Sequence, residues 1–205
     1  MNDTAFWDRA AAKYAKSPIS NPGAYEETLA RTRSHLGPET HALELGCGTG
    51  STALRLAPGT ARYVGTDIST EMIGIARGKP VEGTPAPEFR TAETVADAFA
   101  AERFDTVLAF NLFHLVPDLE ADLAEIHAHL PEGGLLISKT PALKGNWYFR
   151  PLVWALRLVG KAPGNVRFLG VEELDTMIAA AGFRIVETGL YPPTTPSRFV
   201  VARKV

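Results

Sequence analysis

The sequence predicts an α/β fold of three layers, in which a doubly wound, mostly parallel sheet of seven strands lies between helices. Short apolar segments alternate with helical ones over residues 41–139, a pattern typical of parallel strands joined by crossover helices. With 205 residues, 45% of them hydrophobic, the chain is long enough for one sizeable core. Two strand-like segments near the C-terminus follow each other closely, so we expect them to pair antiparallel at one edge.

The first 38 residues predict an N-terminal helical cap. Residues 3–16 have helical composition, and Trp7 and Tyr14 share one face of that helix. Asn21 followed by Pro22 is typical of an N-cap and the first position of a second helix, which we expect to run to about Leu36.

The chain is predicted to form a single domain over 1–205. After the cap, we expect a cofactor-binding core at 39–140 and an insertion at 141–170 that forms a lid or substrate site. A final helix and hairpin are expected at 171–205. The expected strands of the core span 41–45, 62–66, 88–91, 104–110 and 134–139. The helices between them are expected at 50–57, 69–78, 94–101 and 118–130. The end of the chain predicts a helix at 172–181 and strands at 183–189 and 198–202.

Residues 146–161 predict a helix that is apolar over most of its circumference, with Arg150, Arg157 and Lys161 on one stripe. So wide an apolar surface has to be covered by something. It could pack as a lid over the site, form a dimer interface, or make peripheral contact with a membrane surface. These alternatives stay open, and with them the choice between a monomer and a homodimer.

A glycine-rich turn follows the first strand of the core, and a carboxylate ends the next strand. Gly46, Gly48 and Gly50 can adopt positive φ, so the main chain there can approach a ligand closely. Asp67, at the end of the second strand, can accept hydrogen bonds from both hydroxyls of a ribose. Together they predict a nucleotide-type cofactor site.

The spacing of the glycines distinguishes two classes of cofactor. A dinucleotide fingerprint would place its third glycine at Ser51, whereas this chain has it at Gly50. Glu44, on the strand that enters the turn, would repel a pyrophosphate and favour a ligand with ammonium and sulfonium groups. An NAD-dependent oxidoreductase stays an alternative, as does a non-catalytic cofactor-binding or membrane-surface protein.

Composition limits the remaining possibilities. A net charge of −2 gives no overall attraction to nucleic acid, so no nucleic-acid partner is expected. The single cysteine, Cys47, cannot form an intramolecular disulfide and fits a reducing compartment. Without a signal-peptide pattern or an apolar run of about 20 residues, the chain is expected to be cytoplasmic. The histidines show no metal-ligand spacing, so no metal is expected.

At these motifs the chain resembles the class I S-adenosylmethionine-dependent methyltransferases. The matching segments are, in order, residues 43–50 as the first motif, 65–69 with Met72 as the second strand and adenine-flanking turn, 104–111 as the fourth strand and 130–137 as the fifth. The opening Trp7-Asp8-Arg9-Ala10-Ala11-Ala12-Lys13-Tyr14 is similar to that of the small ubiquinone/menaquinone-biosynthesis-like group. The resemblance implies a Rossmann-like fold, S-adenosyl-L-methionine as cofactor and S-adenosyl-L-homocysteine as product.

The resemblance also implies which residues hold the cofactor. Asn111 follows the fourth strand, and Thr91-Ala92-Glu93 stands where many relatives carry an Asp-Ala pair beside the adenine. Asn111-Leu112-Phe113-His114 does not match the Asn/Asp-Pro-Pro-Tyr/Phe motif of some N-methyltransferases. The implied cofactor-binding residues are Tyr14, Glu44, Gly46, Cys47, Gly48, Gly50, Asp67, Ile68, Met72, Ala92, Glu93 and Asn111.

The acceptor side is predicted from fewer residues. His114 is the candidate general base, with a structural histidine as the alternative. Trp7, Trp147 and Tyr148 would supply apolar walls with polar tips, and Arg150 could meet an anionic group. The resemblance implies methyl transfer by in-line displacement, and these residues favour a small or lipid-like acceptor. Its nucleophile stays open between oxygen, carbon and nitrogen.

Overall fold

A computed structural model, which describes residues 3–144, 149–158, 160–193 and 197–205, confirms the predicted α/β fold. Its strands are β1 (His41–Leu45), β2 (Arg62–Asp67), β3 (Glu88–Thr91), β4 (Thr106–Phe110), β5 (Leu135–Pro141), β6 (Phe183–Leu190) and β7 (Ser197–Lys204). They form a seven-stranded sheet in the order β3-β2-β1-β4-β5-β7-β6. Each predicted strand is present within a few residues of its expected bounds.

Helices cover both faces of this sheet. The described helices are α1 (Asp3–Lys16), α2 (Pro22–Arg33), α3 (Ser51–Leu56), α4 (Thr70–Arg77), α5 (Val95–Phe99), α6 (Leu119–His129), α7 (Phe149–Leu158) and α8 (Val171–Ala180). Within the part of the chain that the structure describes, no helix is long and apolar enough to cross a membrane.

The strand pairing brings the carboxyl ends of the central strands to one edge. β1 pairs in parallel with β2 and β4, β3 extends the parallel part on one side, and β5 extends it on the other. β7 runs antiparallel to both β5 and β6, which confirms the predicted antiparallel pairing near the C-terminus. In a parallel sheet, ligands bind beyond the carboxyl ends of the strands, so β1, β2 and β4 present their ends to the same crevice.

Two hydrophobic clusters fill the layers on either side of the sheet. Leu43 and Val107 belong to the cluster that includes α5, α6 and α8, whereas Ala42 and Leu108 belong to the cluster that includes α2, α3 and α4. Neighbouring residues of one strand therefore point into different layers. The sheet is buried on both faces, as a doubly wound fold requires.

Local capping explains where several helices begin. The Asn21 Oδ1 atom accepts a hydrogen bond from Ala24 N at 3.0 Å, and Ser69 Oγ accepts one from Met72 N at 3.1 Å. The first contact confirms the predicted N-cap at Asn21, and the second makes Ser69 the N-cap of α4. The second helix ends at Arg33 and not at the expected Leu36, because His35 N and Leu36 N bond to carbonyls three residues back and tighten the chain into a turn.

Helix α7 lies within the range 146–161, over which the sequence predicts a helix. Trp154 on this helix has 63% of its surface exposed. Trp147 and Tyr148 lie outside the described residues, as does the side chain of Arg150. The division of a single domain into cap, core, insertion and C-terminal unit stays a prediction.

Candidate functional site

The turn between β1 and α3 is built on left-handed glycines, with φ of 65° at Gly46, 54° at Gly48 and 75° at Gly50. A Cβ atom at Gly46 would lie 2.8 Å from Leu112 Cδ1, and one at Gly50 would lie 2.6 Å from Phe89 Cζ. Other residue types are therefore disfavoured here both by conformation and by space. The positive φ expected of the turn is present, and Gly50 is also needed for packing against β3.

Asp67 ties this turn to the end of β2. Its Oδ2 atom accepts a hydrogen bond from Gly48 N at 2.8 Å, and its Oδ1 atom accepts one from Ser69 N at 2.9 Å. Burial raises the pKa of this carboxyl group, and the backbone N–H groups of Ser69 and Gly48 oppose the shift. The carboxylate is thus fixed at the crevice by the main chain on both sides.

Glu44 is buried, with 2% of its surface exposed. Its Oε2 atom accepts a hydrogen bond of 2.8 Å from the Tyr63 hydroxyl on the neighbouring strand. Burial raises the pKa of Glu44 to about 7, the Tyr63 bond opposes this rise, and the charge of Asp67 adds to it. The carboxyl group therefore changes its charge near neutral pH.

Helix α1 brings Tyr14 over the glycine turn. The Tyr14 ring atom Cε1 lies 3.6 Å from the place a Cβ atom of Gly48 would take, and about half of the residue stays exposed. Burial, Asp67 and Glu44 all raise the pKa of Tyr14, in that order. The phenol is therefore close to both carboxylates. Trp7, on the same helix, packs edge-on against Phe6 and is half-buried.

The residues expected around the adenine lie at the ends of β2 and β3. Ala92 N donates a hydrogen bond of 3.0 Å to the Asp67 carbonyl, so the β3 end is held beside Asp67. Ile68 and Ala92 are partly exposed there and Glu93 is exposed, whereas Met72 has only 2% of its surface exposed. Their contact with a cofactor stays a prediction.

Asn111 and His114 lie in the loop after β4. Asn111 has φ of 55°, which is uncommon for a residue with a side chain, and its N–H donates to the Lys139 carbonyl at 2.7 Å. Burial lowers the pKa of His114 to about 4, so the imidazole is neutral at pH 7. Its Nδ1 atom is buried without a hydrogen-bond partner among the described residues.

Cys47 packs beneath the turn. A Cβ atom at Gly65 would lie 3.1 Å from Cys47 Sγ, so the thiol fills the space against β2. Burial raises the pKa of this thiol well above its ordinary value, which makes it a poor nucleophile. Within the described ranges, no group of three His, Cys, Asp or Glu residues could hold a metal ion.

The structure adds one residue that the sequence reasoning missed. Asp8 on α1 accepts a hydrogen bond of 2.6 Å from Ser69 Oγ, next to Asp67. Its position three residues before the buried Ala11 places both on the inward face of the helix. That spacing was the available sign in the sequence. Trp147, Tyr148 and the Arg150 side chain cannot be placed relative to the site.

The arrangement is suited to a cationic ligand with a ribose. Gly46 and Gly48 expose main chain, Asp67 offers a carboxylate at the strand end, and Glu44 lies on β1 within electrostatic reach of Asp67. Two carboxyl groups beside a left-handed turn disfavour a pyrophosphate and favour an ammonium or sulfonium group. The residues present therefore fit S-adenosylmethionine better than NAD.

Comparison with known proteins agrees with this chemistry. A family model described as a methyltransferase domain matches residues 18–188. The ubiquinone biosynthesis O-methyltransferase of Parvibaculum lavamentivorans is 30% identical over 207 residues, which cover 93% of this chain and 81% of that protein. A highly reducing polyketide synthase of Penicillium soppii is 29% identical over 168 residues, which cover 73% of this chain but 6% of the synthase.

The fold has a similar counterpart among solved structures. Magnesium protoporphyrin IX methyltransferase from Synechocystis PCC 6803, crystallised with bound SAH, superposes with a TM-score of 0.72 over 98% of both chains at 19% identity. The family match covers most of this chain. The chain belongs to the class I S-adenosylmethionine-dependent methyltransferases, and S-adenosylmethionine is its cofactor.

Proposed function

We propose that this protein transfers the methyl group of S-adenosylmethionine to a small or lipophilic acceptor by in-line displacement. The observation that carries the proposal is the pair of carboxyl groups, Glu44 and Asp67, at the left-handed glycine turn. One is buried on β1 and the other is fixed at the end of β2. This charge pattern distinguishes the site from a dinucleotide site.

Each cofactor-binding residue then has a physical task. Asp67 would accept hydrogen bonds from the ribose hydroxyls, and Glu44 would offer its charge to the ammonium group of the methionine portion. Tyr14 would shield the turn from water. When bound, the cofactor supplies a methyl group on a sulfur that is already a good leaving group, so the chain has mainly to align the acceptor and exclude water.

The flank of the adenine would be formed at the ends of β2 and β3. Ile68 is partly exposed there, and Ala92 is held beside Asp67 by its N–H bond of 3.0 Å. Glu93 is exposed and could accept a hydrogen bond from the adenine amine. Met72, in the first turn of α4, is almost completely buried, which favours a packing role over a direct contact with the adenine.

An oxygen nucleophile is supported for the acceptor by the name of the Parvibaculum relative, a ubiquinone biosynthesis O-methyltransferase. A hydroxyl acceptor has to lose a proton, and His114 is the candidate base in this chain. The imidazole is neutral at pH 7, so it has a free nitrogen for the proton, although its low pKa makes it a weak base. Trp7, Trp147 and Tyr148 would line an aromatic or lipid-like acceptor, and Arg150 would face its anionic group.

The insertion is proposed to act as a lid. Arg167 N donates a hydrogen bond of 2.7 Å to the His114 carbonyl, and Arg157 Nε donates one of 3.0 Å to the Pro163 carbonyl. The segment after α7 is thus attached both to the helix and to the loop after β4. Because Trp154 is exposed, contact of α7 with a membrane or with a second copy of the chain is an alternative to the lid. Vesicle sedimentation would reveal the membrane contact, and gel filtration would reveal a dimer.

The proposal is tested by transfer of a labelled methyl group. The protein is incubated with methyl-labelled S-adenosylmethionine and with pooled phenols, quinone precursors or lipid extracts, and a parallel titration compares S-adenosylhomocysteine with NADH. We expect tight binding of S-adenosylhomocysteine and label in at least one pool. Binding of NADH alone would favour an oxidoreductase. Tight cofactor binding with every pool unlabelled would favour a non-catalytic binding protein.

A further inference from the structure

The N-terminal helix α1 is fastened to the cofactor crevice by one carboxylate. Asp8 Oδ1 accepts a hydrogen bond of 2.6 Å from Ser69 Oγ and a longer one, of 3.4 Å, from Glu71 N. Ser69 is completely buried. A hydroxyl bonded to a carboxylate forms a short, charge-assisted hydrogen bond, about twice as strong as a neutral one. Asp8 therefore contributes directly to the attachment of α1 to the start of α4.

Ser69 connects this attachment to the proposed ribose ligand. Its N–H donates to Asp67 Oδ1 at 2.9 Å, and its hydroxyl oxygen accepts the N–H of Met72 at 3.1 Å. The hydroxyl therefore donates one hydrogen bond, to Asp8, and accepts one, from Met72, so its rotamer is fixed from both sides. Hydrogen bonds of Ser69 thus link the carboxylate of Asp8 to that of Asp67.

The same helix also reaches the insertion. Asp3 Oδ1 accepts the N–H of Gly164 at 2.8 Å, and Asp3 Oδ2 accepts the side-chain amide of Asn165 at 3.1 Å. Toward its other end α1 places Tyr14 beside Gly48. Helix α1 thus spans from the segment after α7, past the Asp67 loop, to the glycine turn.

We propose that Asp8 is a positioning residue, which holds Asp67 in its ribose-binding geometry through Ser69 and keeps α1 closed over the bound cofactor. The inference rests on the proposed function, in which Asp67 binds the ribose of S-adenosylmethionine. In this proposal Asp8 acts through Ser69 and not on a reacting atom. Its loss is expected to weaken cofactor binding and to leave the chemical step at saturating cofactor nearly unchanged.

The test compares Asp8→Ala with Glu71→Ala. Glu71 is exposed and lies in the first turn of α4. Its substitution by alanine removes a negative charge from the same place and leaves the hydrogen bond of the Ser69 hydroxyl intact. Calorimetry with S-adenosylhomocysteine should show an affinity about tenfold weaker for Asp8→Ala, which corresponds to one charged hydrogen bond, and an affinity within about twofold of the wild type for Glu71→Ala. Equal affinities for wild type and Asp8→Ala would overturn the proposal.

Limited trypsin digestion gives a second readout that a general loss of stability would not imitate. Arg9, Lys13 and Lys16 are exposed cleavage sites on α1. S-adenosylhomocysteine should slow cleavage at these sites in the wild type and in Glu71→Ala, and should not slow it in Asp8→Ala when all three proteins are saturated. Equal protection in all three would contradict the proposed closure.

The route through Ser69 is tested by a double-mutant cycle. In the Ser69→Ala background, Asp8→Ala should add almost no further loss of affinity, whereas independent roles would give additive losses and contradict the proposal. If Asp8→Ala does not fold, Asp8→Ser replaces it, since its side chain is too short to reach Ser69. A wild type that binds neither S-adenosylmethionine nor S-adenosylhomocysteine would instead overturn the proposed function, so the two failures are distinguishable.

Discussion

The Tyr63 hydroxyl donates a hydrogen bond of 2.8 Å to Glu44 Oε2, and so joins β2 to β1. Both residues are almost completely buried. A buried carboxyl group without a partner would be costly, and this bond provides one. Since burial raises the pKa of Glu44 to about 7, the group is partly protonated at neutral pH, and we expect a cationic ligand beside it to favour its charged form.

The first prediction concerns the pH dependence of stability. The pKa of Glu44 rises from its ordinary 4.5 to about 7 on folding, so the folded state binds the extra proton. This contribution is fully present below pH 4.5 and is lost as the pH rises through 7. Glu44→Gln removes that loss. The measurement is urea unfolding of both proteins without ligand. The free energy of unfolding of Glu44→Gln minus that of the wild type should increase by about 2–3 kcal/mol from pH 5 to pH 8.

His114 does not disturb this comparison. Its pKa is lowered on folding, so its contribution is present above its ordinary pKa of 6.5 and is lost as the pH falls toward 4. It acts equally in the wild type and in Glu44→Gln, and therefore cancels in their difference. Parallel stability curves for the two proteins would show that Glu44 is ionised throughout.

The second prediction is that cofactor affinity rises with pH. Glu44 has to lose its proton to face an ammonium group, so the affinity for S-adenosylmethionine should increase about tenfold between pH 6 and pH 8. Tyr63→Phe removes the bond that lowers this pKa, so its midpoint should move to higher pH. Calorimetry in two buffers of different ionisation enthalpy measures the proton released. An affinity independent of pH in the wild type would remove Glu44 from the ammonium site.

The third prediction is that an alanine is poorly tolerated at Gly50 in the turn but well tolerated at a glycine elsewhere in the chain. A Cβ atom at Gly50 would lie 2.6 Å from Phe89, in a left-handed conformation with φ of 75°. Gly50→Ala should therefore lower the free energy of unfolding by about 2–4 kcal/mol. Gly37 has nothing within 4 Å of the corresponding position, so Gly37→Ala is the matched control and should change little. Equal melting temperatures for both variants would show that the turn rearranges freely.

The fourth prediction concerns His114 once an acceptor is known. If it removes the acceptor's proton, His114→Gln should lower kcat by about a hundredfold or more and leave the affinity for S-adenosylhomocysteine unchanged. Because the pKa of this imidazole is about 4, wild-type activity should not fall between pH 7 and pH 5 through its protonation. An unchanged kcat in the variant would assign His114 a structural role.

The sequence predicted those features that depend on local pattern. Alternating segments fixed the strands and helices, and the spacing of Gly46, Gly48 and Gly50 predicted their positive φ, because both follow from neighbouring residues. The bond from Ser69 to Asp8 joins residues 61 positions apart and depends on how α1 lies against α4. The low pKa of His114 likewise depends on burial by distant segments. Neither is visible in a local pattern.

The most direct test of the account is the affinity of Asp67→Ala for S-adenosylmethionine. Asp67 accepts hydrogen bonds from both Gly48 N and Ser69 N, so a melting curve first has to show that the variant is folded. Calorimetry should then give a dissociation constant at least about tenfold larger than that of the wild type, since charged hydrogen bonds contribute roughly 1.5 to 3 kcal/mol each. An unchanged affinity in the folded variant would contradict the assignment of Asp67 to the ribose.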